Sequence, residues 1–153
     1  MRYFFESRER QDELGRVLES WEDTPYRHWS GVKGLGCDCI HFVVRVYEEM
    51  GVPVKGSSGK FEIPRYNKGW HLHNEDELLL QGIVSQTNVI YSPLNSPMSG
   101  DIILVRYGMA ASHASIYHEG RLYQSITGTG VRKISYSDHQ WNKRKKYNLR
   151  VIL

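Results

Sequence analysis

The stretch Gly36-Cys37-Asp38-Cys39-Ile40-His41-Phe42-Val43 carries two thiols, a carboxylate and an imidazole within five residues. Such a cluster suits either nucleophilic catalysis or metal binding. Cys39 starts a helical stripe continued by Val43, Val46 and Met50, with Ile40 and Tyr47 beside it, so its side chain is expected to face a core. Asp38 is placed to cap that helix, and a thiol in the first turn feels the positive helix end, which lowers a cysteine pKa when a cationic partner is also near. Acyl transfer by such a thiol needs a base, and His113 in Ser112-His113-Ala114-Ser115-Ile116-Tyr117 is the candidate. A neutral imidazole takes the thiol proton and later returns it to a leaving amine. A third group should hold the ring in its useful tautomer, and Gln124 on the next strand is the choice, with an exposed strand glutamine as the alternative. Two oxyanion donors are expected from the Cys39 N–H and the Tyr26 hydroxyl, although Tyr26 equally suits a core aromatic.

Those residues need a helix and a sheet to position them. A first helix is expected over about 8–22, from Leu14, Val17, Leu18 and Trp21, broken by Thr24-Pro25. The nucleophile helix runs from Cys39 to about Met50, with Gly51 and Pro53 as its stop. A glycine- and proline-rich surface excursion follows at about 55–97. Within it, Asn74-Glu75-Asp76-Glu77 resembles a capping box ahead of a short helix holding Leu78, Leu79, Leu80, Ile83 and Val84. Strands are expected over 101–107, 113–118, 121–126, 131–135 and 147–153, with Glu119-Gly120 as a hairpin turn and Gly128 and Gly130 as another reversal. Helices first and strands later indicate an α+β domain across 1–153, with N-terminal helices packed on a central antiparallel sheet whose middle strands form a meander.

Composition narrows the classes. The chain has 153 residues, 40% hydrophobic and 24% charged, which fits one globular domain, and a net charge of +3 that does not identify a nucleic-acid binder. Two cysteines two residues apart offer no disulfide framework, and zinc through Cys37, Cys39 and His41 lacks the second ligand pair of a structural site. His71 and His73 beside Glu75 and Asp76 read as solvent-facing polar residues at a helix start more than as a metal site. The basic run Lys143-Arg144-Lys145-Lys146 near Trp141 is the basis for a competing reading as a binding module for nucleic acid, but no recognised motif accompanies it. No stretch approaches the ~20 apolar residues of a membrane span, and neither an export signal nor an anchor is evident. No metal, no cofactor, no membrane and no specific nucleic acid are expected as partners.

Several motifs in order resemble the NlpC-type cell-wall cysteine peptidases, compact papain-like enzymes. Trp21-Glu22-Asp23-Thr24-Pro25-Tyr26 is similar to the motif ending in that family's active-site tyrosine, and Gly36-Cys37-Asp38-Cys39 to its nucleophile motif. Gly100-Asp101-Ile102-Ile103 and Ser112-His113-Ala114-Ser115-Ile116-Tyr117 resemble its strand pair with the catalytic histidine. Leu122-Tyr123-Gln124-Ser125 falls where it places a third polar residue, most commonly histidine. Ile40-His41 stands where the family usually has Ser-Gly. The resemblance implies a papain-like fold, hydrolysis of amide bonds in peptidoglycan stem peptides, often between D-γ-glutamyl and a diamino acid, and no metal. It also implies the peptidase order of cysteine before histidine, which argues against permuted acyltransferases. The missing export signal and wall-binding domain point to a phage tail or lysis component delivered to the wall, ahead of an injected effector or a recycling enzyme.

Overall fold

The computed structural model describes residues 1–56, 59–63, 78–107, 110–138 and 142–153. Helix α1 spans Arg8–Trp21, β1 Gly31–Val32, β2 Gly36–Cys37, α2 Cys39–Met50 and α3 Leu78–Gln86. Strands β3 Val89–Ser92, β4 Ile102–Tyr107, β5 Ala110–His118, β6 Arg121–Ile126, β7 Gly130–Ser135 and β8 Lys145–Val151 complete the order.

Local chemistry sets both N-terminal helices. Ser7 caps α1 by accepting from the Arg10 N–H at 3.2 Å, and Leu14, Leu18 and Trp21 form its buried side. The helix stops at Trp21, one residue before the expected end, because Glu22 is already extended and Asp23 takes a positive φ of 67°. Helix α2 has the expected bounds. Gly51 closes it in the left-handed region, and the Val52 N–H reaches back to the Tyr47 carbonyl at 3.0 Å.

Six strands form one sheet in the order β3-β8-β4-β5-β6-β7, every pair antiparallel. The expected meander is β4 to β7. The last strand does not extend it but returns to the opposite side of β4, and β3 pairs along its outer edge, Val89 with Val151. The excursion expected on the surface at about 55–97 is therefore partly built into the fold, since Val89-Ile90-Tyr91 is a β-favouring run and Leu80 and Ile83 are buried. The capping box at 74–77 and the candidate ligands His71, His73, Glu75 and Asp76 lie outside the described residues, as does Trp141. Glu119 and Gly120 both take positive φ, 46° and 84°, which matches the twist a two-residue hairpin needs between β5 and β6.

Helices α1 and α2 pack against each other, and α2 lies on β5 and β6. Their shared core holds Leu14, Leu18, Phe42, Val46, Tyr47, Ile102, Leu104 and Ile116. The other face of the sheet has a smaller core of Ile103, Val105 and Leu122 under Tyr117 and Tyr136. This double cover explains why Ile102-Ile103-Leu104-Val105 is an unbroken apolar run and not an alternating one.

Candidate active site

Asp38 fixes the start of α2. Its Oδ1 accepts the His41 N–H at 2.8 Å and its Oδ2 the Trp29 N–H at 2.9 Å, so one buried carboxylate ties the helix to the preceding loop. That loop is further held to β2, because the Arg27 N–H donates to the Cys37 carbonyl and the Cys37 N–H to the Pro25 carbonyl. Tyr26 thereby forms a bridge with Cys37. From the other side, the Val131 N–H donates to the Thr24 carbonyl at 2.9 Å. Gly130 permits this approach: at φ 91°, a Cβ there would stand 2.4 Å from the Thr24 oxygen.

Beyond the Ile116–Tyr123 pair β6 parts from β5 while staying paired to β7 as far as Ile126. The N-terminus of α2 meets the sheet at this split. The Ser125 hydroxyl on β6 donates to the Cys37 carbonyl at 2.7 Å. On β5 the Ala114 N–H hydrogen-bonds the Cys39 thiol, which the amides of Cys39 and Ile40 also approach. Cys39 is half-buried, whereas Cys37 is fully buried.

His113 precedes Ala114 on β5, opposite Val105, and is 7% exposed. Its Nε2 lies 2.6 Å from Oε1 of Gln124, which is 0% exposed. With a carbonyl oxygen as the acceptor, Nε2 carries the proton, and the neutral ring keeps its acceptor lone pair on Nδ1. The glutamine is thus a buried partner and not an exposed strand residue.

Burial sets the electrostatics. It pushes the Cys39 thiol up to about 12, and the Asp38 charge adds to this against the Ala114, Ile40 and Cys39 amides. Burial also pulls His113 down to about 4, against the bond from Gln124. Both groups therefore rest neutral. Cys37 is raised to about 11, mainly by burial, and remains a thiol. The Tyr26 hydroxyl hydrogen-bonds Thr127, and its pKa is raised by burial first, against that bond, and further by the nearby Asp38 carboxylate. Tyr26 is accordingly half-buried beside the nucleophile motif.

Two contacts were not anticipated from the chain. The Ala114 amide carries no side-chain signal at all. The Asp38–His41 pair did leave one, because Asp-x-x-His has the spacing of a capping box with histidine in place of glutamate. An apolar cavity of about 370 Å³ opens beside Cys39, lined by Ile40, Val44, Phe61, Leu79 and Ile83 among others. Ile40 faces this cavity, while His41 turns into Asp38.

Among the described residues no group of three metal-ligating side chains occurs, and no helix is long and apolar enough to cross a membrane. Lys145 of the basic run is engaged within the fold. Its ammonium lies 3.4 Å from the Tyr136 ring centre and donates to the Tyr136 carbonyl and to Asn142 Oδ1.

The sequence model of the NlpC/P60 family matches residues 23–150. Among solved structures, a lipoprotein-like NLP/P60 family protein from Staphylococcus aureus aligns with a TM-score of 0.67 at 18% identity, covering 96% of this chain and 43% of that one. An NlpC/P60 family protein from Bacillus cereus gives 0.60 at 20% identity, covering 94% and 40%. A mutated form of RipA, the resuscitation promoting factor interacting protein, gives 0.56 at 17% identity, covering 95% and 63%. The chain spans less than half the length of the first two of these structures. No curated protein matches it significantly.

Proposed function

The chain belongs to the NlpC/P60 family, and from that membership we propose that it is a cysteine hydrolase cutting an amide bond of peptidoglycan stem peptides, D-γ-glutamyl to diamino acid being the favoured bond. The observation that carries the assignment of roles is the 2.6 Å bond from His113 to Gln124 on the strand whose Ala114 amide holds the Cys39 thiol.

In this mechanism Nδ1 of His113 takes the Sγ proton, and the thiolate attacks the substrate carbonyl carbon. The resulting oxyanion is held by the Cys39 N–H and the Tyr26 hydroxyl, donors whose loss costs about 2.7–4 kcal/mol each in comparable sites. The C–N bond then breaks, the amine leaves with the proton from Nδ1, and a thioester remains on Cys39. Water gives a proton to Nδ1, attacks the thioester and releases the acid, and the proton returns to sulfur. Gln124 accepts from Nε2–H throughout, and Asp38 supports the helix start without serving as the base.

Digestion of purified peptidoglycan, read by mass spectrometry of the muropeptides, tests the assignment. The wild-type protein and Cys37→Ala are expected to release stem-peptide fragments, and Cys39→Ala none. Equal release by the Cys39 variant would remove the proposed nucleophile. The apolar cavity beside Cys39 supports a second reading, in which the thiol accepts an apolar acyl group from an ester or amide. Faster release from long-chain than from short-chain acyl esters, with no muropeptide cleavage, would select it.

A further inference from the structure

The pair Ile40-His41 follows the thiol where the family usually has Ser-Gly, and His41 does not face the cavity. Its Nδ1 lies 2.7 Å from Asp38 Oδ1, and both side chains are buried. Because the acceptor is a carboxylate, Nδ1 carries a hydrogen whether the ring is neutral or charged. The ring meets Trp29 edge-on, with centroids 4.8 Å apart. The hairpin strand β1 lies directly over it: a Cβ on Gly31 would stand 3.0 Å from the His41 Cβ. Arg45, one turn later, donates to the Gly31 carbonyl at 3.2 Å and closes the same seam.

Asp38 is the charge nearest in sequence to the nucleophile, and a carboxylate beside a thiolate opposes it. That carboxylate is 0% exposed, so solvent does not screen it. Burial alone would raise its pKa, but the ring and backbone bonds of His41, followed by the Trp29 N–H, outweigh burial and leave it lowered and ionised. Its charge therefore persists at the site, and the donors around it decide where it sits. Oδ1 is turned into the helix and Oδ2 towards Trp29.

We propose that His41 is a positioning residue for the nucleophile: its Nδ1–H holds the buried cap carboxylate between α2 and the Trp29 loop and draws that charge away from the Cys39 sulfur. The proposal rests on the cysteine-hydrolase reading above for its consequence in turnover, but its effect on thiol reactivity does not depend on any substrate. His41 touches neither substrate nor reacting atoms and acts through Asp38.

The test uses two variants of the full chain that differ in where they put a donor. His41→Asn places an amide N–H near the position of Nδ1, whereas His41→Gln places it near Nε2. Alkylation of Cys39 by iodoacetamide is followed at the Cys39 peptide by mass spectrometry, and kcat and KM are measured on muropeptides. His41→Asn is expected to stay within about threefold of wild type in both rates. His41→Gln is expected to slow alkylation and kcat by about tenfold or more, the scale of one lost hydrogen bond to a charged group, with KM within about twofold. Melting temperatures are recorded for each variant, and if His41→Gln does not fold, His41→Ala, which has no side-chain donor, replaces it. A purely structural histidine would leave alkylation unchanged, or slow both variants equally, and either result overturns the proposal. If the wild-type protein alkylates normally but cleaves no muropeptide, the hydrolase reading fails and the alkylation comparison still decides the role of His41.

Discussion

Gln124→Leu isolates the orientation of the histidine. Leucine is slightly larger than glutamine, so the fully buried site is not emptied, but the acceptor 2.6 Å from His113 Nε2 is removed. In the resting enzyme the change is close to balanced. The Nε2–H of His113 loses its partner, while the Gln124 Nε2, buried with no hydrogen-bond partner among the described residues, is removed with the side chain. Stability is therefore expected to fall by no more than about 1 kcal/mol. The reacting enzyme is not balanced, because the imidazolium then has a charged N–H facing an apolar group. A hydrogen bond to a charged group is worth about 1.5–3 kcal/mol, and at about 1.4 kcal/mol per decade kcat/KM should drop by roughly 10–100-fold. The assay is muropeptide release at fixed enzyme concentration, with thermal unfolding as the control. Gln124→Glu restores an acceptor and is expected to recover activity relative to leucine. A fully folded Gln124→Leu enzyme with less than a twofold loss would refute the role given to Gln124.

Two further outcomes concern stability. The His113 pKa falls from 6.5 in the unfolded chain to about 4 in the fold, so the folded state binds fewer protons between these values. Its contribution, roughly 3 kcal/mol, is complete above pH 6.5 and lost as pH falls towards 4; His113→Phe should flatten that part of the acid unfolding curve, and an unchanged slope would exclude His113 as its source. Gly130→Ala, whose Cβ would meet the Thr24 oxygen at 2.4 Å, should cost about 2 kcal/mol or more by thermal unfolding, clearly more than Gly128→Ala at a similar φ with no described residue within 4 Å. Equal losses would show that the close approach carries no energy.

The parts legible in the chain are those with local causes. The bounds of α2 followed from Asp38, the apolar stripe and Gly51, and the β5–β6 hairpin from Glu119-Gly120, each decided within a few residues. The pairing of Gln124 with His113 was reachable because one short turn fixes both strands. What escaped was set at long range. Nothing in Lys145–Val151 says that it returns beside β4, and Val89–Ser92 reads as a strand only once β8 is there to pair with it. The split between β5 and β6 is equally silent, since it depends on the helix end that occupies it. His41 is legible in spacing, but the sequence alone offers it only as a metal ligand, because no sequence rule says on which side of the helix start an imidazole will find a partner.

The site joins two distant parts of the chain: Tyr26 and Cys39 come from one, His113 and Gln124 from the other, and the Ser125–Cys37 bond that ties them spans 88 residues. Contacts at such separation form late when topology governs folding. A nascent chain lacking β5 to β7 carries only an ordinary cysteine with no base beside it. On the proposed mechanism turnover is then the last property acquired, and during refolding the return of muropeptide cleavage should trail the return of helical signal, which makes activity a clock for closure of the sheet.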